Sequence, residues 1–114
     1  MEYSNKLLLK DSLNMPKYLR KNKDAENFKT KGDFESNKGE YLKSISLYDK
    51  AIILEPKFIE AINNRGLAKY ELGRYEEAIK DYDEALKIDL QSSLSFDNRG
   101  LAKYELGRYE EAIK

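Results

Sequence analysis

From residue 25 onward the apolar positions recur every three or four residues, the spacing that gathers them on one face of a helix. Phe28, Gly32 and Phe34 form one such series, followed by Tyr41, Ile45, Tyr48, Ala51 and Ile52. A second pair of series follows, with Ile62, Gly66 and Tyr70, then Tyr75, Ala78, Ile79, Tyr82, Ala85 and Leu86. The pattern predicts helices over about 25–37, 41–54, 58–72, 75–89, 92–106 and from about 109 to the last residue. Pro56 is suited to close the first pair, Asp24 and Ser92 to serve as N-caps, and YEEAIK runs from acidic start to basic end as the helix dipole favours. Helices of about 14 residues are marginal in isolation, so each is expected to bury its apolar face on a neighbour.

The pattern is periodic at a larger scale. The 17 residues Asn64 to Lys80, NRGLAKYELGRYEEAIK, are repeated without change at Asn98 to Lys114, an offset of 34. All six glycines fall into two series with that spacing, Gly32, Gly66, Gly100 and Gly39, Gly73, Gly107. The second series sits between apolar-periodic segments, where helices commonly end on a left-handed residue, and predicts turns. The first lies inside helical patterns, where glycine costs about 1 kcal/mol against alanine, and predicts close helix crossings. The expected fold is all-α, a solenoid of antiparallel helix pairs with about two and a half repeats. Its divisions are an arm over 1–24 that includes a helical cap, a first repeat over 25–58, a second over 59–92, and a third over 93–114 that stops within its second helix. The unchanged copy reaches the final residue, so a longer array is expected, continuing in a manner resembling DYDEALKI.

Composition narrows the chemistry. The 114 residues carry 21 basic and 21 acidic side chains, giving no net field toward nucleic acid or an anionic membrane. There is no Cys and no His, so disulfides, thiolate metal sites and the commonest general base are missing together. The only early apolar run, Leu7-Leu8-Leu9, is too short for a signal peptide or a membrane span, and a cytoplasmic address is expected. Residues 1–24 hold six basic and three acidic side chains. Lys17 to Lys23, KYLRKNK, interleaves aromatic and cationic residues, yet reads better as a solvated leading helix after Pro16, with Tyr18 and Leu19 covering the first repeat. The acid pairs Glu76-Glu77 and Asp81-Asp83 have neither a His nor a phosphate-binding loop beside them and read as helix-start charge and a wet face. No metal, cofactor or catalytic residue is expected.

These residues resemble the tetratricopeptide repeat family. Phe28, Gly32, Gly39, Tyr41, Ser44, Tyr48, Ala51 and Pro56 match the pattern in the first copy. Ile62, Gly66, Gly73, Tyr75, Ala78, Tyr82 and Ala85 match in the second, and Phe96, Gly100, Gly107, Tyr109 and Ala112 in the third. Two substitutions depart from it: Ser44 replaces an alanine and needs a hydrogen bond, and Leu90 stands where the closing proline belongs.

The resemblance implies a right-handed superhelix whose first helices line a concave groove. It places Lys29, Asp33, Asn64, Leu67, Tyr70, Asn98, Leu101 and Tyr104 on the groove side, where amides and phenols suit an extended peptide backbone. A subgroup of the family clamps the carboxylate end of chaperone tails through five positions; here Lys29 and Asn64 match, while Asp33, Leu94 and Asn98 occupy the others. One carboxylate has been added and two cations are missing. A like charge at 4 Å and an effective dielectric near 20 costs about 4 kcal/mol, so that clamp is not expected. The implied function is a non-enzymatic scaffold holding a peptide or helix of a partner protein, with self-association through the open C-terminal end as a further contact. The alternative is an assembly element that stacks end to end, or a targeting arm of a larger protein. No nucleic-acid or membrane partner is expected.

Overall fold

The computed structural model describes residues 16–113 and contains five helices: α1 Lys17–Asn37, α2 Tyr41–Leu54, α3 Ile59–Glu71, α4 Tyr75–Ile88 and α5 Ser93–Ile113. Each packs antiparallel on the next, and the first helices of successive pairs, α1 with α3 and α3 with α5, also touch. The array measures 67 × 30 × 23 Å with a radius of gyration of 17.4 Å. A compact globule of this length has a radius near 13 Å, so the helices form an extended all-α stack and not a ball.

Local chemistry fixes the two reversals. After α1 the amide of Gly39 donates to the Ser36 carbonyl at 2.9 Å and that of Glu40 to Glu35 at 2.9 Å, while Gly39 takes φ of 77°. After α3, Gly73 donates to Tyr70 at 2.9 Å and Arg74 to Lys69 at 2.8 Å, with Gly73 at 78°. This paired pattern satisfies two orphan helix carbonyls and requires a residue free of the Cβ penalty.

The second helix of each pair ends differently. Glu55 and Asp89 are both extended, with φ of −136° and −138°. Pro56 follows the first. Leu90 follows the second, and there the Asp89 side chain accepts the Gln91 amide at 3.0 Å, so an aspartate turn does the work of the proline. Ser44, fully buried, donates its hydroxyl to the Tyr41 carbonyl at 2.9 Å, which supplies the bond that replacing alanine demanded.

Small and aromatic residues alternate through the core. Ala25, Tyr48, Ala51, Phe58 and Ala61 form one buried cluster, joined by Phe28, Ile52 and Leu54; Ala78, Tyr82 and Ala102 form the next, with Tyr70 and Ile79 against it. The alanines let the axes approach, and each tyrosine ring fills the space left by a glycine. A Cβ added at Gly32 would lie 2.6 Å from Tyr48 Cε1, and one at Gly66 would lie 2.7 Å from Tyr82 Cε1.

Three expectations fail here for one reason. Gly107 makes no turn: α5 continues through it as helix, and only Gly39 and Gly73 have positive φ among the described residues. Gly100 makes no close crossing, since among the described residues a Cβ there meets no atom of another element within 4 Å. No separate helix begins at 109. Gly66 is packed by Tyr82, sixteen residues on; the counterpart for Gly100 would be residue 116, beyond Lys114. The six described residues after Gly107 would make about 9 Å of separate helix, too little to bury against the rest of α5 in return for breaking its hydrogen bonds.

At the other end, α1 starts at Lys17 and runs unbroken through Asp24, which is therefore no N-cap. The helical pattern has no breaker between Pro16 and Asn37. The proposed covering by Tyr18 and Leu19 lies outside the described side chains, as do residues 1–15. Ser92 does cap α5, its hydroxyl accepting the Ser95 amide at 3.2 Å.

Asp81 also departs from its expected wet face. It is buried, and accepts Arg65 Nη2 at 2.8 Å and Arg65 Nε at 3.0 Å, with Lys69 Nζ at 3.0 Å. Arg65 simultaneously reaches Asp49 Oδ1 at 2.8 Å, so one guanidinium ties α3 to the helices on both sides. Arg99 repeats half of this arrangement toward Asp83 at 2.8 Å. The pairs Asp49–Arg65 and Asp83–Arg99 are each sixteen residues apart and stand 34 residues from one another, a register visible in the sequence only when the copies are aligned.

Candidate functional site: a cleft between the first two repeats

The packing of α1, α2 and α3 leaves a cleft of about 470 Å³ lined by Asp33, Ser36, Asn37, Tyr41, Tyr48, Asn64, Leu67, Ala68 and Glu71. Its centre is Asp33. On one oxygen, Oδ1, it accepts the Tyr48 hydroxyl at 2.6 Å and the Asn64 amide at 2.9 Å; on Oδ2 it takes the Lys29 ammonium at 2.8 Å. Three elements meet at this one carboxylate: α1 carries Lys29 and Asp33 one turn apart, α2 brings Tyr48, and α3 brings Asn64. Helical geometry puts residues four apart on the same face, which is why Lys29 reaches Asp33.

The electrostatics follow from these contacts. Lys29 is held above its ordinary pKa chiefly by its bond to Asp33, against partial burial that acts the other way. The Tyr48 phenol is pushed well above the usual tyrosine range, first by burial and then by the Asp33 carboxylate. Two of the lining groups are carboxylates, and among the described residues lining the cleft none is a Lys or Arg.

Of the eight groove positions derived from the resemblance, the structure joins Lys29, Asp33 and Asn64 in one network and places Leu67 on the same cleft. Tyr70 is elsewhere. It packs on the second core cluster and meets Tyr75 edge-on, with ring centroids 5.3 Å apart. Those contacts join the end of α3 to the start of α4, and Tyr70 is not among the residues lining the cleft. Asn98, Leu101 and Tyr104 lie on α5 and are not among the lining residues; Leu101 and Tyr104 are exposed, and Tyr104 lies beneath the Arg108 guanidinium at 5.8 Å.

Ser36, Asn37, Tyr41, Tyr48 and Glu71 line the cleft without having been foreseen. One signal was available for Tyr48. Across the copies the positions 33, 67 and 101 read Asp, Leu and Leu, so the first copy alone offers its buried tyrosine an acceptor. The second shows the consequence: the Tyr82 hydroxyl is buried and has no hydrogen-bond partner among the described residues, because Leu67 stands where Asp33 stood. Ser36, Asn37 and Tyr41 flank the first turn, where the course of the chain decides what faces inward.

Comparison with known proteins agrees with this architecture. The family model described as tetratricopeptide repeat matches residues 59–91. No curated protein matches the chain. Among solved structures, the second TPR of Spaghetti (RPAP3), bound to the HSP90 peptide SRMEEVD, is similar with a TM-score of 0.76 and 30% identity over 84% of this chain and 88% of that one. The Arabidopsis OM64 TPR domain has a TM-score of 0.75 and 29% identity, covering 81% of this chain and 76% of that one. The second TPR domain of human RPAP3, in complex with the HSP70 peptide SGPTIEEVD, has a TM-score of 0.70 and 27% identity, covering 83% and 77%. With helix pairs at a period of 34, turn glycines in the left-handed region, tyrosines seated on glycines and these likenesses along most of its length, the chain belongs to the tetratricopeptide repeat family.

Proposed function

We propose that this chain is a non-enzymatic interaction scaffold whose cleft between α1 and α3 holds a polypeptide segment of another protein. The observation that carries the reading is the cleft itself, about 470 Å³ in volume, lined by amides and hydroxyls beside the apolar Leu67 and Ala68. Asn37, Asn64, Ser36 and Tyr41 offer donors and acceptors to a peptide backbone, and the two apolar residues offer a surface for one side chain. The peptide-bound state of similar domains supports it. The test is a pull-down followed by mapping of the bound segment, together with Asn64→Ala for the cleft and Asn64→Ala combined with Asn98→Ala for a segment that runs on along the first helices to α5. The double variant should keep its helical circular dichroism and weaken any bound peptide about three- to tenfold, the loss of one or two backbone hydrogen bonds. Unaltered affinity would move the site out of the groove.

A second reading, assembly through α5, has its own observation. Ile62 is 1% exposed and Tyr70 packs on the cluster of Ala78, Tyr82 and Ala102, whereas the matching Phe96 and Tyr104 are 45% and 63% exposed. With Gly100 between them they form an apolar stripe whose twin in the second repeat is buried at Ile62 and Gly66 and partly buried at Tyr70. Burial of such a stripe is favourable at about 25 cal/mol per Å², so a second copy is expected to compete for it at high concentration. Sedimentation of the isolated chain should show a weight-average mass that rises with protein concentration, and Phe96→Glu should remove the rise. A strict monomer up to millimolar protein excludes this reading.

A further inference from the structure

The charge chemistry of the cleft points to a particular kind of segment. Resting on the groove reading above, we infer that Asp33 sets the specificity of the cleft, turning it away from acidic peptide ends and toward a segment carrying a lysine or arginine side chain.

Two donors near the cleft have the chemistry to hold a ligand carboxylate, the Lys29 ammonium and the Asn64 amide. Each already directs a hydrogen to Asp33, at 2.8 Å and 2.9 Å, so any ligand carboxylate that shares them lies beside that carboxylate. The Tyr48 hydroxyl, a third donor, gives its hydrogen to Asp33 as well, at 2.6 Å. An incoming carboxylate therefore finds an internal carboxylate beside those donors, and like charges at close range repel.

A cation meets the opposite situation. A carboxylate has about four acceptor sites, and three of those on Asp33 are filled, which leaves room for one more donor. Glu71 adds a second carboxylate to the same lining, and no lysine or arginine stands among the described lining residues to neutralise it. Lys29 offsets one of the two charges, so the cleft as a whole is anionic. Its amides and hydroxyls accept the remaining hydrogens of an ammonium or guanidinium, and Leu67 and Ala68 accept the aliphatic stem of the same side chain. The occupant that meets all of these features at once is an extended basic segment.

The test is selection of a displayed random heptapeptide library on the whole chain. The wild type should yield a pool enriched at least fivefold in Lys and Arg relative to Asp and Glu. Asp33→Asn with Glu71→Gln should reduce that bias to under twofold, and either single variant should weaken a selected peptide roughly three- to tenfold, the scale of one charge-assisted hydrogen bond. Asparagine at 33 retains an acceptor for Tyr48 and Asn64, and Glu71 is exposed, so both variants are expected to fold. Glu76→Gln with Glu77→Gln, on an exposed helix start away from the cleft, should leave the pool unchanged. A neutral or acidic pool that still depends on Asn64 overturns the charge inference and leaves the groove reading standing. So does a basic pool that responds to the Glu76 and Glu77 changes instead. A library with no enrichment at all overturns both.

Discussion

Gly66→Leu should destabilise the array by about 3 kcal/mol or more, while Gly100→Leu, in an identical stretch of sequence, should leave it unchanged or slightly stabler. The two glycines lie in the same 17-residue segment, so local propensity is equal at both. Any difference measures tertiary packing alone. At Gly66 a Cβ would sit 2.7 Å from Tyr82 Cε1, 3.1 Å from Cζ and 3.2 Å from Asp81 Cβ. Neither neighbour yields easily: the Tyr82 ring is 0% exposed and Asp81 is held by Arg65 and Lys69. The larger leucine must push α4 off α3, opening the cluster of Ala78, Tyr82 and Ala102. At Gly100 the first atom is more than 4 Å away, and leucine restores the roughly 0.7–1 kcal/mol that glycine forfeits in a helix. Urea unfolding followed by circular dichroism separates the two variants. Equal midpoints would mean that the α3–α4 crossing is not as close as described.

The same contrast explains how much of the fold could be read from the residues. Period, helix pairing and the turns at Gly39 and Gly73 were legible, because each depends on a short stretch whose chemistry is complete in itself. The roles assigned to Gly100 and Gly107 depended on a helix that the sequence as given does not contain. An exact copy of a segment reproduces its propensities but not its neighbours, and a packing glycine is defined by its neighbour. The cleft was half legible for a related reason. Lys29, Asp33, Asn64 and Leu67 follow from the family resemblance, which assigns the groove to the first helices, whereas Tyr48 and Glu71 enter through the packing of α2 and the end of α3. Asp81 was misread because its charge suggested water; only the arrival of Arg65 and Lys69 from α3 makes burial tolerable.

Alkaline pH should unfold this protein through two tyrosines, and the hydroxyl without a partner should make one of them the more telling. Tyr48 and Tyr82 are 1% and 0% exposed, and burial first, with nearby carboxylates after it, raises both phenols far above the ordinary value of 10.0. Below pH 10 the folded and unfolded chains both hold these protons, and the full stability is present. Above it the unfolded chain ionises while the folded one does not. Stability then falls by about 1.4 kcal/mol per pH unit for each tyrosine, or about 4 kcal/mol for the two by pH 11.5. Lys29, held upward by Asp33, acts with the same sign.

Two phenylalanine variants apportion the loss. Tyr48→Phe removes a bond to a carboxylate and should cost about 1.5–3 kcal/mol at neutral pH. Tyr82→Phe removes a buried hydroxyl with no hydrogen-bond partner among the described residues and should be neutral or stabilising by about 1 kcal/mol. Both should recover about 2 kcal/mol relative to wild type at pH 11.5, so Tyr82→Phe should have the highest alkaline midpoint and Tyr48→Phe should draw level with wild type. Phenolate absorbance gives the direct check. Part of the signal from the nine tyrosines should rise only when the helical circular dichroism collapses. If every tyrosine ionises near pH 10 while the helices persist, the rings of Tyr48 and Tyr82 are not sealed against Gly32 and Gly66, and the close packing that defines both repeats is wrong.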